Sequence, residues 1–247
     1  TAESIPNINP SDTTDTIGFA AKCTVSDLDK AIDAAHAAAP GWAASTPQQR
    51  FDVLDFIGTE ILARKEELGT LLSREEGKTL PEGIGEVARA GQIFKFFAGE
   101  ALRLAGDRLA SVRPGIEVDV TRFPIGVVGL ITPWNFPIAI PAWKIAPALC
   151  YGNAVILKPA ELVPGCAHAL IEILSRSGLP EGVVNLVMGR GSQIGPRLVE
   201  SAKVKAISFT GSVPTGIAIA TAAARNVVPC VLELGGKSAA IVHDDAD

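Results

Sequence analysis

Residues 126–137 read GVVGLITPWNFP. An unbroken apolar run ends in a Thr, and a Trp-Asn-Phe triplet follows between two prolines. Four more short apolar runs come after it: AVILK (154–158), VVNLVM (183–188), VKAISF (204–209) and VPCVLEL (228–234). The segments between them, 141–150, 164–178, 192–201 and 215–226, have helical character. Continuous apolar strands alternating with helices predict an α/β domain whose parallel sheet is covered by helices on both faces. In such sheets ligands sit beyond the carboxyl ends of the strands. Each short polar motif of this half of the chain falls at one of those ends.

Upstream of Gly126 the texture differs. The first 25 residues are polar and turn-rich and predict a strand or two on the surface. Ser26 is a candidate cap for a helix starting at Asp27. Thr46-Pro47-Gln48-Gln49 is a helix start, with Thr46 capping, Pro47 at the first helical position and Gln49 closing a capping box. Phe51, Leu54, Ile57, Ile61 and Leu62 recur at helical spacing, as do Val87, Ile93, Phe94 and Phe97 in a second pattern from Glu82 to Leu104. Residues 108–123 then alternate about the turn Arg113-Pro114-Gly115 and predict a hairpin. Its unpaired edges suit an arm that another subunit covers. The expected organisation is a helical segment plus arm over residues 1–125 and a sheet domain over 126–247.

Composition narrows the function classes. A net charge of −5 over 247 residues, with no basic stripe, argues against nucleic acid and anionic membrane as partners. No run approaches the roughly 20 apolar residues of a membrane span. The acidic N-terminus is unlike a secretory signal. Cys23, Cys150, Cys166 and Cys230 lie in apolar surroundings without paired spacing, which predicts reduced thiols in a cytoplasmic protein. Cys166 and His168 are two apart on a helix and face different ways, so no metal site is expected.

The strand-end motifs carry the chemistry. Thr132, Trp134 and Asn135 follow the first strand, where Asn135 either caps the next helix or aims a fixed amide. Lys158 ends the second strand, with Glu161 three residues on; Lys158 is either a snorkelling surface residue or a ribose or phosphate contact. Glu161 can accept hydrogen bonds from a ribose diol, and its charge disfavours a 2′-phosphate. Gly189-Arg190-Gly191 follows the third strand. Gly211 and Gly216 open a helix after the fourth, with Ser212 between them, as ordinary turn chemistry or as a diphosphate turn. Glu233, flanked by Leu232 and Leu234, is either a carboxylate satisfied by backbone N–H groups or a desolvated general base.

ITPWNFP, the run from Lys144 to GNAVILKPAE, FTGSVPTG and ELGGK stand here in the order and at the spacing found in the NAD(P)-dependent aldehyde dehydrogenase superfamily, which the chain resembles over essentially its whole length. That resemblance implies a Rossmann-like cofactor domain, an aldehyde substrate, and NAD or NADP as cofactor; the charge of Glu161 weakly favours NAD. It also implies a homo-oligomer, dimeric or tetrameric. Asn135 matches the side-chain donor of an oxyanion hole, Glu233 the base that activates hydrolytic water, and Lys144 a residue orienting that base or relaying protons. The cofactor set is Thr132, Trp134, Lys158, Glu161, Gly191, Gly211, Ser212, Gly216 and Leu234. Phe136, Ile140 and Trp143 match the substrate tunnel. The wording KPAELVPGCAHAL most resembles α-ketoglutarate-semialdehyde dehydrogenases, with succinate-semialdehyde dehydrogenase next.

One departure accompanies the resemblance. The nucleophilic cysteine of the superfamily lies a few tens of residues after ELGGK, and residues 1–247 reach ten past Lys237. None of the four cysteines matches that position. The expectation is an N-terminal portion of a longer enzyme, inactive by itself. The other reading is a non-catalytic nucleotide-binding module.

Overall fold

The computed structural model describes residues 4–246. Strands β1 (Ser4–Ile8) and β2 (Thr16–Ala21) form a two-stranded antiparallel ribbon. Four helices follow, α1 (Val25–Ala43), α2 (Pro47–Ala63), α3 (Lys65–Glu76) and α4 (Leu80–Ala101). A hairpin of β3 (Asp107–Ala110) and β4 (Glu117–Val120) comes next. The remaining chain alternates β5 (Val127–Ile131), α5 (Ala139–Cys150), β6 (Ala154–Lys158), α6 (Pro164–Ser175), β7 (Val184–Leu186), α7 (Gly191–Glu200), β8 (Val204–Gly211), α8 (Val213–Ala224) and β9 (Cys230–Leu234).

The five strands β5 to β9 form one parallel sheet in the order β7-β6-β5-β8-β9. The chain builds outward from β5 through β6 to β7, then returns to place β8 on the other side. The strand order therefore reverses between β5 and β8, the position where open α/β sheets leave a crevice. Side chains sort by twos onto the two faces. Val128, Leu130, Val155 and Leu157 join α2 to α6 in one core. Val127, Ile156, Ile207 and Phe209 join α1, α7 and α8 in the other. Helices on both faces explain why these strands read as continuous apolar runs.

The Thr46 capping box forms as its sequence implies, a contribution of about 1 kcal/mol. At the preceding helix the cap is Thr24, paired with Asp27, and not Ser26. Thr24 holds the extended backbone a cap requires, and the two side chains satisfy each other's N–H groups. Helix α3 lies outside the helices expected from sequence. Every residue of β3 and β4 is exposed, including Leu109, Val118 and Val120.

Helix α5, which carries the first polar motif into the sheet layer, is held at both ends by the N-terminal helices. Buried Glu86 accepts the N–H groups of Ile138 and Ala139 at 3.0 Å each. At the other end Arg50 donates to the Cys150 carbonyl at 3.3 Å and Trp42 Nε1 to the Leu149 carbonyl at 3.1 Å. A carboxylate at the start and a guanidinium at the end both complement the helix dipole.

Candidate active site

A cleft of about 950 Å³ opens at the carboxyl ends of β5, β8 and β9. Asn135, Lys144 and Glu233 all line it, together with Trp134, Ile140, Trp143, Gly211, Ser212 and Leu234. Residues separated by nearly a hundred positions thus share one cavity. The prolines on either side of Trp134-Asn135-Phe136 frame a loop whose three central residues are exposed while Pro137 and Ile138 are buried. Phe136 is not among the residues lining the cleft; the Lys78 ammonium lies 3.9 Å from its ring centroid.

Lys144 projects from α5 and donates to Ser208 Oγ at 2.7 Å. Burial pushes its pKa below the usual lysine range, and the charge of Glu233 partly opposes that. Ser208 is absent from the residues expected from sequence, because a lone hydroxyl inside an apolar strand is a weak signal. Glu233 differs from its sequence expectation in its surroundings. It pairs in register with Thr210 and is exposed, because β9 is the edge strand of the sheet.

A second cleft, about 560 Å³, runs between α7 and α8 and is lined by Ile131, Lys158, Gly191 and Thr215 among others. Lys158 is 6% exposed, and burial lowers its pKa against the opposing pull of Glu161. Glu161 accepts the Gly191 N–H at 2.9 Å, and a Cβ on Gly191 would lie 3.4 Å from Lys158 Nζ. Three residues singled out separately in the sequence are therefore neighbours. Thr132 is buried beside them in the chain's path, its N–H on the Lys158 carbonyl at 3.1 Å and its hydroxyl without a partner.

The helix starts along this edge are not equivalent. Glu86 covers the start of α5. Glu75 covers α6, accepting the Gly165 and Cys166 N–H groups at 2.5 and 2.8 Å. Glu161 covers α7. Among the described residues α8 has a hydroxyl cap, Ser212, which accepts from Thr215 at 3.4 Å. A carboxylate already neutralises three positive dipole ends, and the fourth faces the crevice at the switch point with no such partner. Gly211 lets the chain turn there against Phe209, whose ring would lie 2.5 Å from any Cβ. Gly216 packs in the same way on Leu234, at 2.5 Å.

The thiols stand apart from this chemistry. Among the described residues no cysteine lines the large cleft. Cys150 is buried and its pKa is pushed up to about 11, with Arg50 only partly countering. Burial also raises Cys166, reinforced by Glu75, and raises Cys230.

A parallel sheet with a crevice at its switch point, an amide, a lysine and a carboxylate lining it, and one helix start without a carboxylate define an α/β domain of the doubly wound, Rossmann-like class. The chain belongs to the aldehyde dehydrogenase family, whose model matches residues 1–247. It is 44% identical over 240 residues to the α-ketoglutaric semialdehyde dehydrogenase of Bacillus subtilis, covering 97% of this chain and 49% of that protein. To the 2,5-dioxopentanoate dehydrogenase of Saccharolobus solfataricus it is 39% identical, covering 98% and 51%. Among solved structures, an aldehyde dehydrogenase from Brucella melitensis superposes with a TM-score of 0.93 at 37% identity, covering 95% of this chain and 48% of that one. Betaine aldehyde dehydrogenase from Staphylococcus aureus in complex with NAD+ superposes with a TM-score of 0.91 at 35% identity, over 95% and 48%. The chain spans about half the length of the relatives it matches. Among the described residues no helix is long and apolar enough to cross a membrane.

Proposed function

We propose that this chain is the N-terminal, cofactor-binding portion of an enzyme that oxidises a semialdehyde to a carboxylic acid with NAD(P)+. The observation that carries the reading is the meeting of Asn135, Lys144 and Glu233 in one cleft beside the uncovered start of α8. Lys158, Gly211 and Ser212 suit a dinucleotide: a buried cation, a close backbone approach and a helix start without a carboxylate. A bound nicotinamide dinucleotide supplies the hydride acceptor.

The chain's own residues divide the remaining work. When a thiolate from outside these residues adds to the aldehyde, the carbonyl oxygen gains charge, and the Asn135 side-chain N–H donates to it. Glu233 takes a proton from the water that hydrolyses the resulting thioester, and its exposure on an edge strand leaves it open to that water. Lys144, anchored on Ser208, holds positive charge beside Glu233 and keeps it oriented. The raised pKa values of Cys150, Cys166 and Cys230 support the corollary that this chain alone does not oxidise aldehydes.

The names of relatives favour α-ketoglutarate semialdehyde as substrate. Succinate semialdehyde is the alternative, supported by 42% identity to the mitochondrial succinate-semialdehyde dehydrogenase of Arabidopsis thaliana over 90% of this chain. The exposed hairpin of β3 and β4 supports a homo-oligomer in which it serves as the arm, and the free thiols fit a reducing cytoplasm. The test is Asn135→Ala in the complete enzyme. Loss of one oxyanion donor lowers kcat by about 10²–10³. A variant with unchanged kcat would remove Asn135 from the mechanism.

A further inference from the structure

Asn135 presents its side chain to the cleft from a loop, and loops place side chains less firmly than helices or strands do. This loop is gripped from behind by two residues of the N-terminal helical segment. Lys78 Nζ donates to the Asn135 backbone carbonyl at 2.8 Å and lies 3.9 Å from the Phe136 ring centroid. The same ammonium donates to Glu86 Oε2 at 2.8 Å. The other oxygen of Glu86 accepts the N–H groups of Ile138 and Ala139. One ion pair thereby fixes the backbone at Asn135 and again just beyond Phe136.

The pair is well shielded: the Lys78 side chain is 14% exposed and that of Glu86 1%. A buried ion pair gains little net stability over apolar packing, so its geometry is the better guide to its use. Local structure aims Lys78 at the loop. Gly77 ends α3 in the left-handed conformation, φ +89°, and turns the chain just before Lys78 reaches Asn135 and Phe136.

We propose that Lys78 and Glu86 are positioning residues for Asn135, setting where its side-chain amide stands in the cleft. The inference rests on the oxyanion role given to Asn135 above. A displacement of about 1 Å at a reacting centre can cost about 10²-fold in rate. Without the Lys78 contact the Asn135 carbonyl is free to swing, and the amide is held in place for only part of the time.

The experiment is a double-mutant cycle in the complete enzyme, reading kcat, KM for the aldehyde and thermal stability. Lys78→Met lowers kcat by about ten-fold to 10²-fold while leaving KM within about two-fold. The Lys78→Met/Asn135→Ala double variant is no slower than Asn135→Ala alone, because an absent amide cannot be misplaced. Independent, multiplying losses would overturn the positioning role and leave the oxyanion role standing. An unchanged kcat in Asn135→Ala would overturn both. Should Lys78→Met fold poorly with Glu86 left unpaired, Lys78→Met/Glu86→Gln keeps an acceptor for Ile138 and Ala139 without a buried charge. On that background, a loss that disappears when Asn135→Ala is added supports positioning, and a loss that multiplies overturns it.

Discussion

Glu161 Oε1 accepts the backbone N–H of Gly191 at 2.9 Å, so the carboxylate that follows β6 closes the start of α7 beside buried Lys158. Two consequences meet in one residue. The charge sits where a dinucleotide's ribose is proposed to lie, and it also stabilises a helix end. The expected outcome in the complete enzyme is a preference for NAD+ over NADP+ of about ten-fold in kcat/KM, about 1.4 kcal/mol. Glu161→Ser narrows or inverts that ratio, mainly through KM for NADP+, and costs about 1 kcal/mol of stability as the charged cap is lost. A lower melting temperature with an unmoved cofactor ratio would leave Glu161 as a cap only.

Glu75 is expected to matter for stability alone. Its carboxylate accepts from Asn7 Nδ2 at 2.5 Å as well as from Gly165 and Cys166, and it is 3% exposed. Glu75→Ala leaves three donors unpaired in the interior, at a cost of about 2–4 kcal/mol. Exposed Glu66→Ala should stay within about 0.5 kcal/mol. Chemical denaturation of the two variants makes the comparison, and equal midpoints would contradict it.

Glu76 gives stability a pH dependence of definite sign. Burial raises its pKa above the usual carboxylate range, Lys78 opposes this, and Glu86 adds to it; one oxygen of Glu76 has no hydrogen-bond partner. A carboxyl whose folded pKa is raised favours folding while both states are protonated. That advantage is complete below the ordinary value near 4.5 and is lost as pH rises through the folded value. Glu76→Gln should therefore raise the melting temperature at pH 7 by about 2–4 °C, on the order of 1 kcal/mol, and the gain should vanish below about pH 4. A gain that persists at low pH would assign the effect to packing.

The thiols should react in order of burial. Iodoacetamide at pH 7.5 should label Cys23 well before Cys150 and Cys166, which are fully buried and whose thiolate forms are disfavoured. Peptide mapping reads the order. Fast alkylation of Cys150 together with aldehyde-dependent NADH formation would make it a nucleophile.

The sheet was legible because its central strands are buried on both faces. GVVGLI and AVIL are apolar throughout, and their shortness, β-branched residues and closing polar motifs mark them as buried strands. Residues at strand ends were legible for the same reason: the topology gathers them. Helix α3 was not, since KEELGTLLSREE looks like a solvated face in which Leu68 and Leu72 are the fully buried apolar side chains. Glu75, Lys78 and Glu86 were hidden on similar grounds. In sequence they are part of an ordinary charge run, and apart from the Lys78–Glu86 pair their hydrogen-bond partners lie 52 to 91 positions away, in β1, in the loop before α5 and at the starts of α5 and α6. Glu233 misled in the opposite direction. Flanking leucines suggested a desolvated acid, but an edge strand exposes alternate residues whatever their neighbours are.

Cofactor placement can be checked by hydrogen–deuterium exchange of this chain with and without NAD+. The uncovered start of α8 is proposed to receive the diphosphate, beside Lys158. Saturating NAD+ should slow exchange of the amides in residues 211–216 and around Gly191, and should leave the β3–β4 hairpin unchanged. Binding that protects some other surface, or none, would contradict that placement.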